Sequence, residues 1–134
     1  MRARFAQREA ALALVTLVAV VVALAVTATR SHPTKLPAPV GSYTALASAM
    51  GPSAIGRHTS CGQVIDANTE GVSHPVLPCG IRIYVTYGDN TVLTQVIDHG
   101  PMAAGRQFEL TDGLAKRLGL TGVQTIRWSY AQAG

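Results

Sequence analysis

The sequence predicts a mainly β domain, a compact barrel with one short helix, preceded by an N-terminal hydrophobic helix. Three observations favour this class. Short runs rich in β-branched residues recur after residue 42, Gly and Pro residues separate them, and only one convincing helix lies among them. Several short strands with a single small helix are typical of a compact β-barrel.

The N-terminal hydrophobic segment runs from Ala10 to Ala28 without charge, Gly or Pro. As a helix it would be about 28 Å long, close to the ~30 Å hydrocarbon core of a bilayer. That length favours a signal anchor. Val26-Thr27-Ala28 keeps open the alternative of a cleaved signal peptide.

The charges around this segment predict its orientation. Arg2, Arg4 and Arg8 precede it, and basic residues are sparser after it, so the N terminus is expected to stay in the cytoplasm. The expected location is therefore the cell membrane, with a single pass and the domain outside. If the helix is cleaved, the domain is secreted to the cell wall.

The chain is thus divided into three parts. Residues 1–28 form the cytoplasmic tip with the signal anchor or signal peptide, residues 29–41 a Pro-rich linker, and residues 42–134 the folded domain. The membrane is a partner through the N-terminal helix. The net charge is +4 and the basic residues are scattered, so no nucleic acid is expected as a partner.

Cys61 and Cys79 are the two cysteines of the chain. In an exported domain this small, a disulfide between them would add ~3 kcal/mol of stability. The alternative is a metal site, which needs further ligands at regular spacing, and the sequence has no CxxC or HxxxH motif. We expect no metal and no cofactor.

The elements of the domain follow from local patterns. Ile81 to Tyr87 alternates between apolar and polar residues, and the turn Gly88-Asp89-Asn90 joins it to a second strand as a hairpin. Thr111 and Gly119 are suited to cap a helix. The predicted strands are 43–47, 81–87, 91–97, 106–110 and 123–130, and the predicted helix is Asp112 to Leu118.

Two residues are the candidates for acid–base chemistry. Asp98 ends a β-branched strand and precedes a Gly-Pro turn, where burial would raise its pKa and suit a general acid or base. The alternative is a structural Asp that caps the turn. His74, in a turn stiffened by prolines, is a candidate to orient a substrate or steer Asp98, or else a turn histidine that bonds to the backbone.

Three further residues are candidates for substrate binding. Gln63 follows Cys61-Gly62 and can hydrogen-bond a ligand, although an amide cannot act as an acid. His99 adjoins Asp98 and is expected on the rim of the site. Arg106 begins the 106–110 strand, where it either pairs with Glu109 or faces the ligand.

Four segments together resemble the rare lipoprotein A (RlpA-like) double-psi β-barrel domain, across about residues 42–130. The family pattern runs T-A-S-G-E, A-H-x-T-L-P-x-G, D-R-G-P, and G-R-x-x-D-L-S before a short helix. The matching segments are Thr59 to Asp66, Ser73 to Gly80, Val96 to Pro101 and Gly105 to Thr111. The resemblance implies a small six-stranded double-psi barrel. The paired cysteines are similar to those of a disulfide-bearing, Gram-positive-type branch, and the barrel type recurs in expansins.

The resemblance implies peptidoglycan glycan strands as the partner. Active members are lytic transglycosylases that cleave between N-acetylmuramic acid and N-acetylglucosamine, with the muramic C6 hydroxyl as the internal nucleophile. By position, Asp98 matches the essential aspartate and His74 the motif histidine. We expect Asp98 as the acid/base, His74 as its orienting partner and Gln63 as a polar contact to the sugar.

Two departures from the pattern open an alternative function. Gln63 stands where active members have a glutamate, and His99 replaces the arginine that follows the motif aspartate. Losing an acid/base group typically costs ~10²–10⁴-fold in rate. The resemblance as a whole implies transglycosylase-like cleavage of peptidoglycan as the expected function. The two departures favour the alternative, a non-catalytic, expansin-like module that binds polysaccharide.

Overall fold

A computed structural model describes residues 34–133 of the chain. In that part six strands form a closed barrel with one α-helix, as predicted. In chain order they are β1 (Pro39–Ala49), β2 (Val72–Ser73), β3 (Arg82–Tyr87), β4 (Asn90–Asp98), β5 (Phe108–Leu110), α1 (Asp112–Leu118) and β6 (Gln124–Ala131). A short 3-10 turn spans Pro52–Ala54.

The strand order around the barrel is β1-β5-β2-β4-β3-β6, closed by the pairing of β6 with β1. Two of the pairs, β1 with β5 and β2 with β4, are parallel, and the others are antiparallel. The parallel pair of β2 with β4 sets Ser73 beside Asp98. The topology therefore joins two predicted motifs that are far apart in sequence.

The hairpin of β3 and β4 shows why the alternating pattern predicts strands. Ile83 and Val85 are fully buried on the inner face, while Arg82 on the other face is exposed. The main core fills the barrel and includes Phe108 and Ile126, both fully buried. A second, smaller cluster of Ala54, Ile65 and Ile97 holds the segment after β1 against the end of β4.

The strands differ from the sequence prediction in three main places. The predicted 106–110 strand begins at Phe108, so Arg106 lies in the turn before β5 and does not begin the strand. β1 begins at Pro39 because Pro39 and Val40 pair with the end of β6, so the first strand extends into the segment predicted as linker. β2, which has two residues, was not predicted, since so short a strand has no periodicity. The predicted hydrophobic helix lies outside the described residues, and no helix within residues 34–133 is long and apolar enough to cross a membrane.

Helix α1 begins and ends as predicted. The Thr111 hydroxyl accepts a hydrogen bond from the backbone N–H of Leu114 at 3.4 Å, and Gly119 ends the helix in the left-handed conformation, with φ 71°. The same hydroxyl accepts from the Gly71 backbone N–H at 3.1 Å, just before β2. Thr111 therefore fixes both the helix and the chain that leads into β2.

We expect Thr111→Ala to destabilise the domain by about 1–2 kcal/mol, the upper range for loss of an N-cap, because two backbone donors lose their acceptor. Urea unfolding measures the change. Thr111→Ser is the matched control, since it keeps the hydroxyl and should retain most of the stability. Equal losses in both variants would show that packing of the methyl group, and not capping, is responsible.

Candidate functional site

Asp98 lies at the end of β4, and its carboxylate is the centre of a polar cluster. Only 6% of its side chain is exposed. Oδ1 accepts hydrogen bonds from the backbone N–H and the hydroxyl of Ser60, both at 3.0 Å. Oδ2 accepts from the Ser73 hydroxyl at 3.0 Å and lies 3.3 Å from a guanidinium nitrogen of Arg57. These four contacts occupy the acceptor capacity of the carboxylate.

The chain between residues 56 and 65, here the 56–65 hairpin, brings Arg57 and Ser60 to the carboxylate. Backbone hydrogen bonds join Gly56 to Ile65 at 2.7 Å and Thr59 to Gln63 at 2.8 Å. Ile65 is buried against Ile97, the residue before Asp98. The hairpin is therefore anchored beside Asp98 by apolar packing, and its turn sets the Ser60 N–H on Oδ1.

Gln63 stabilises this turn. The Thr59 hydroxyl donates to Gln63 Oε1 at 3.2 Å and accepts from the Gln63 backbone N–H at 3.1 Å. Within residues 34–133, no hydrogen bond joins the Gln63 amide to Asp98 or to His74. Gln63 is half-buried. Its observed contacts hold the loop that carries Ser60, and a role in ligand binding stays a prediction.

His74 lies beside Asp98, but its ring makes no hydrogen bond to the carboxylate in the described structure. The backbone N–H of His74 donates to the Asp98 carbonyl at 3.0 Å. Ring atom Nδ1 accepts from the backbone N–H groups of Val76 and Leu77 at 3.2 and 3.1 Å. Since Nδ1 is an acceptor, Nε2 carries the proton of the neutral ring and is left to donate.

The ring of His74 is half-buried and packs against Phe108, with 4.7 Å between ring centroids. Burial lowers the pKa of His74 because it disfavours the charged imidazole, and the charge of His99 lowers it further. The ring is thus a neutral hydrogen-bond donor near neutral pH. The contacts of the ring in this structure are those of the alternative stated above, a turn histidine that bonds to the backbone.

His99 sits on the other side of the Ser60 hydroxyl. Its Nδ1 is 3.3 Å from Ser60 Oγ, and its Nε2 is 2.9 Å from the Leu77 carbonyl oxygen. The ring is half-buried. His99 therefore bridges the 56–65 hairpin and the loop after His74, next to the carboxylate.

A disulfide joins Cys61 to Cys79, with the two Cα atoms 5.5 Å apart. It ties the 56–65 hairpin to the loop that follows His74, so it holds together the two segments that flank Asp98. The sulfur atoms and a ring nitrogen of His99 lie within 4.8 Å of one another. In the disulfide, however, the sulfurs are not thiolates and are poor metal ligands.

Arg106 is the predicted binding residue for which the structure shows no link to this cluster. Within residues 34–133, no hydrogen bond or ion pair joins its side chain to Asp98, and its buried Nε has no partner. Glu109 accepts from the Ala103 backbone N–H at 3.1 Å instead of pairing with Arg106. A role for Arg106 in substrate binding stays a prediction.

Access to the carboxylate is limited by the exposed side chains that cover it, Arg57 and Ser60. Two surface cavities of about 240 and 250 Å³ lie elsewhere on the barrel. One is lined by Glu70, Arg82 and Thr94 and the other by residues that include Tyr130. A ligand that donates a hydrogen bond to Asp98 must therefore replace one of its present donors, of which Arg57 and Ser60 are exposed.

The expectation that burial raises the pKa of Asp98 towards the working pH is wrong in its net direction. Burial does raise the pKa of this carboxyl, but hydrogen bonds from the Ser60 N–H, the Ser73 hydroxyl and the Ser60 hydroxyl lower it more, and the pKa lies below its usual range. Asp98 is thus ionised at neutral pH. Sequence patterns do not reveal these donors, which come from other parts of the chain.

The lowered pKa predicts how stability depends on pH. Because the folded state holds Asp98 ionised, its contribution is complete above the unfolded pKa of about 3.9 and is lost as the pH falls through the lower, folded pKa. Urea unfolding between about pH 5 and 2 should therefore show a smaller acid loss in Asp98→Asn than in the wild type. Asp66 also has a lowered pKa and titrates in both proteins. Equal slopes would contradict the prediction.

Sequence reasoning identified Asp98 and His74 but missed Arg57, Ser60 and Ser73. Ser60 and Ser73 lie inside the segments that carry the resemblance, directly before Cys61 and His74, and that position was the one available signal. Arg57 lies before the first matched segment, and no feature of the sequence pointed to it. The contacts that define the site join residues up to 41 positions apart.

The comparisons with known proteins agree with the fold and the motifs. No family model matches the chain. "Probable endolytic peptidoglycan transglycosylase RlpA" of Synechocystis sp. is 35% identical over 91 residues, which is 65% of this chain and 28% of that protein. "Endolytic peptidoglycan transglycosylase RlpA" of Yersinia pestis is 34% identical over 87 residues, 63% of this chain and 24% of that protein. The chain thus spans about a quarter of the length of these relatives.

A solved structure supports the fold. The Streptomyces papain inhibitor superposes with a TM-score of 0.54 at 22% sequence identity, over 73% of this chain and the whole of that one. Together with the six-stranded barrel and the disulfide, these similarities confirm the resemblance that the four motifs indicate.

Proposed function

We propose that this chain, whose barrel is an RlpA-like double-psi domain, acts on peptidoglycan glycan strands by transglycosylase-type cleavage centred on Asp98. The names of the similar proteins, which are peptidoglycan transglycosylases, support the class of substrate. The observation that carries the proposal is the Asp98 carboxylate at the end of β4, where three of the four matched segments meet through Ser60, Ser73 and Asp98 itself, and where the partner Arg57 is exchangeable.

The exchangeable partner is Arg57. Its contact with Oδ2 is the longest of the four, at 3.3 Å, and involves a single guanidinium nitrogen of a side chain that is 40% exposed. Because this guanidinium group stays partly in solvent, its ion pair with Asp98 is screened and contributes less than a fully buried pair with two hydrogen bonds. A sugar hydroxyl can therefore replace Arg57 at Oδ2, while Ser60 and Ser73 keep the carboxylate in place.

The chemistry follows from this placement. Asp98 in its protonated form gives its proton to the departing glycosidic oxygen and then takes the proton of the muramic C6 hydroxyl. That hydroxyl oxygen bonds to C1 and closes the 1,6-anhydro ring. No water is consumed, and one carboxyl group suffices. His74 Nε2–H donates a hydrogen bond to a ligand oxygen and does not transfer the proton.

The alternative, a non-catalytic module that binds the same polysaccharide, is favoured by two observations. The lowered pKa of Asp98 makes its protonated form a minority species at neutral pH. Gln63 also offers only hydrogen bonding at the position where the resemblance implies a glutamate. Cleavage by this chain is therefore expected to be slow.

Digestion of purified sacculi by the full chain tests the proposal, with mass spectrometry of the soluble products. We expect muropeptides with 1,6-anhydro ends, and Gln63→Glu should raise their yield because it restores a second carboxyl group. A chain that sediments with sacculi but releases no anhydro ends, under conditions where an active transglycosylase works, supports the binding module. If the chain neither binds sacculi nor releases anhydro ends, both functions are contradicted.

A further inference from the structure

The Ser60 hydroxyl has one proton and two acceptors that compete for it. Asp98 Oδ1 lies at 3.0 Å and His99 Nδ1 at 3.3 Å from Ser60 Oγ. The His99 backbone N–H also donates to the same oxygen, at 3.0 Å. When His99 is neutral, the hydroxyl satisfies either the carboxylate or the ring, but not both.

The contact made by the other ring nitrogen, Nε2, determines which nitrogen of the neutral His99 ring carries the proton. Nε2 lies 2.9 Å from the Leu77 carbonyl oxygen, which can only accept, so Nε2 carries a proton in the neutral ring. All contacts are satisfied together only when His99 carries both ring protons. Nδ1–H then donates to Ser60 Oγ, and the Ser60 hydroxyl donates to Asp98.

We propose that Ser60 is a positioning residue that couples the proton of His99 to the charge of Asp98, in a hydrogen-bonded chain from Asp98 Oδ1 through Ser60 Oγ to His99 Nδ1. Transfer along this chain moves the Nδ1 proton to Ser60 while the Ser60 proton moves to Oδ1. An imidazolium and a carboxylate thus become a neutral imidazole and a carboxylic acid, and no other reactant is needed.

This coupling deepens the proposed function and, in its catalytic consequence, rests on it. Cleavage requires a protonated Asp98, and the hydrogen bonds around Asp98 favour its ionised form. His99, through Ser60, is a local source of that proton at Oδ1, and delivery to a ligand at Oδ2 requires the protonated carboxyl group to rotate about its Cβ–Cγ bond. Gln63 cannot supply one.

Three segments next to this chain of hydrogen bonds carry charged or titratable groups. Arg57 of the 56–65 hairpin contacts Asp98 Oδ2. His74, directly after β2, interacts electrostatically with His99. Glu109 of β5 is paired in register with Ser73. The disulfide sulfur of Cys79, 3.9 Å from His99 Nε2, does not titrate.

Carbon-13 and nitrogen-15 NMR titration of the labelled full chain tests the coupling without any measurement of cleavage. In the wild type, the Asp98 carboxyl carbon should show its own titration step and a second step at the pH where the His99 ring titrates. Ser60→Ala and His99→Gln should abolish the second step. Ser73→Ala is the matched control, because it removes the other serine hydroxyl from Asp98 but leaves Ser60 and His99 in place.

Each outcome decides the matter. A second step that persists in Ser73→Ala and in Ser60→Thr, which keeps the hydroxyl, but disappears in Ser60→Ala supports the coupling. A wild-type carboxyl carbon that does not respond to His99, or a response that survives in Ser60→Ala, overturns it. His99→Gln only assigns the second step to the His99 ring, and Ser60→Gly, which also lacks the hydroxyl, takes the place of Ser60→Ala if the alanine variant does not fold.

The pH profile of cleavage is a separate readout. If the NMR coupling is present but no anhydro product forms, the coupling stands and the proposed cleavage fails. If cleavage occurs, its rate should fall in the pH range where the His99 ring loses its proton, and Ser60→Ala should lose that dependence. Cleavage without NMR coupling would overturn the role of Ser60 and leave the proposed function intact.

Discussion

Asp98→Asn should reduce the release of 1,6-anhydro muropeptides by about 10²–10⁴-fold, the range expected when an acid/base group is lost. An amide of nearly the same shape can still fill the space, but it cannot exchange a proton. Its NH₂ group also faces either the two donors of Ser60 or the donors of Ser73 and Arg57, so at least one donor contact becomes unfavourable.

Asp89→Asn is the matched control for this variant. It makes the same chemical change at an exposed position in the turn between β3 and β4, and it should leave the product yield unchanged. Because the amide also costs about 1–3 kcal/mol of stability through mismatched hydrogen bonds, circular dichroism must show that Asp98→Asn is folded at the assay temperature. A folded Asp98→Asn protein with activity near the wild-type level would exclude Asp98 as the acid/base.

Removal of the disulfide should have the largest effect on stability. The bond closes a loop between residues 18 positions apart, and in the loop-entropy model its loss in Cys61→Ala/Cys79→Ala costs ~3 kcal/mol. For a domain of this size each kcal/mol lowers Tm by roughly 4–8 °C. Thermal unfolding should therefore show a decrease of roughly 12–24 °C.

Reductant provides the internal control for the disulfide. It should lower the Tm of the wild type towards that of the double variant and leave the double variant unchanged. Because the bond also holds the 56–65 hairpin beside Asp98, the pKa of Asp98 should rise towards its ordinary value when the bond is lost. A wild type whose Tm is the same with and without the bond would contradict this account.

The fold could be predicted where local patterns determine structure. Helix α1 has the predicted ends because Thr111 and Gly119 supply both caps, and β3 and β4 follow from alternation and a turn. The start of β1 and the existence of β2 could not be predicted in this way. Both depend on pairing with strands distant in sequence, at residues with little pattern of their own.

The site was predicted only in part, because several of its contacts also join residues that are distant in sequence. The matched motifs identified Asp98 and His74, and the parallel pairing of β2 with β4 brings their backbones together. The protonation state of Asp98 depends on donors from the 56–65 hairpin and on Ser73, which no local pattern relates to Asp98. Burial alone predicted the wrong direction of the pKa, since these hydrogen bonds outweigh it.

The most direct test of the central claim is an NMR titration of the labelled full chain with a soluble glycan fragment of alternating N-acetylglucosamine and N-acetylmuramic acid. If peptidoglycan strands bind at Asp98, the largest shift changes should occur at Arg57, Ser60, Ser73 and His74, and Arg57→Ala should alter the affinity. Shift changes confined to another part of the barrel, or none at saturating fragment, would contradict the claim that this cluster is where the chain meets peptidoglycan.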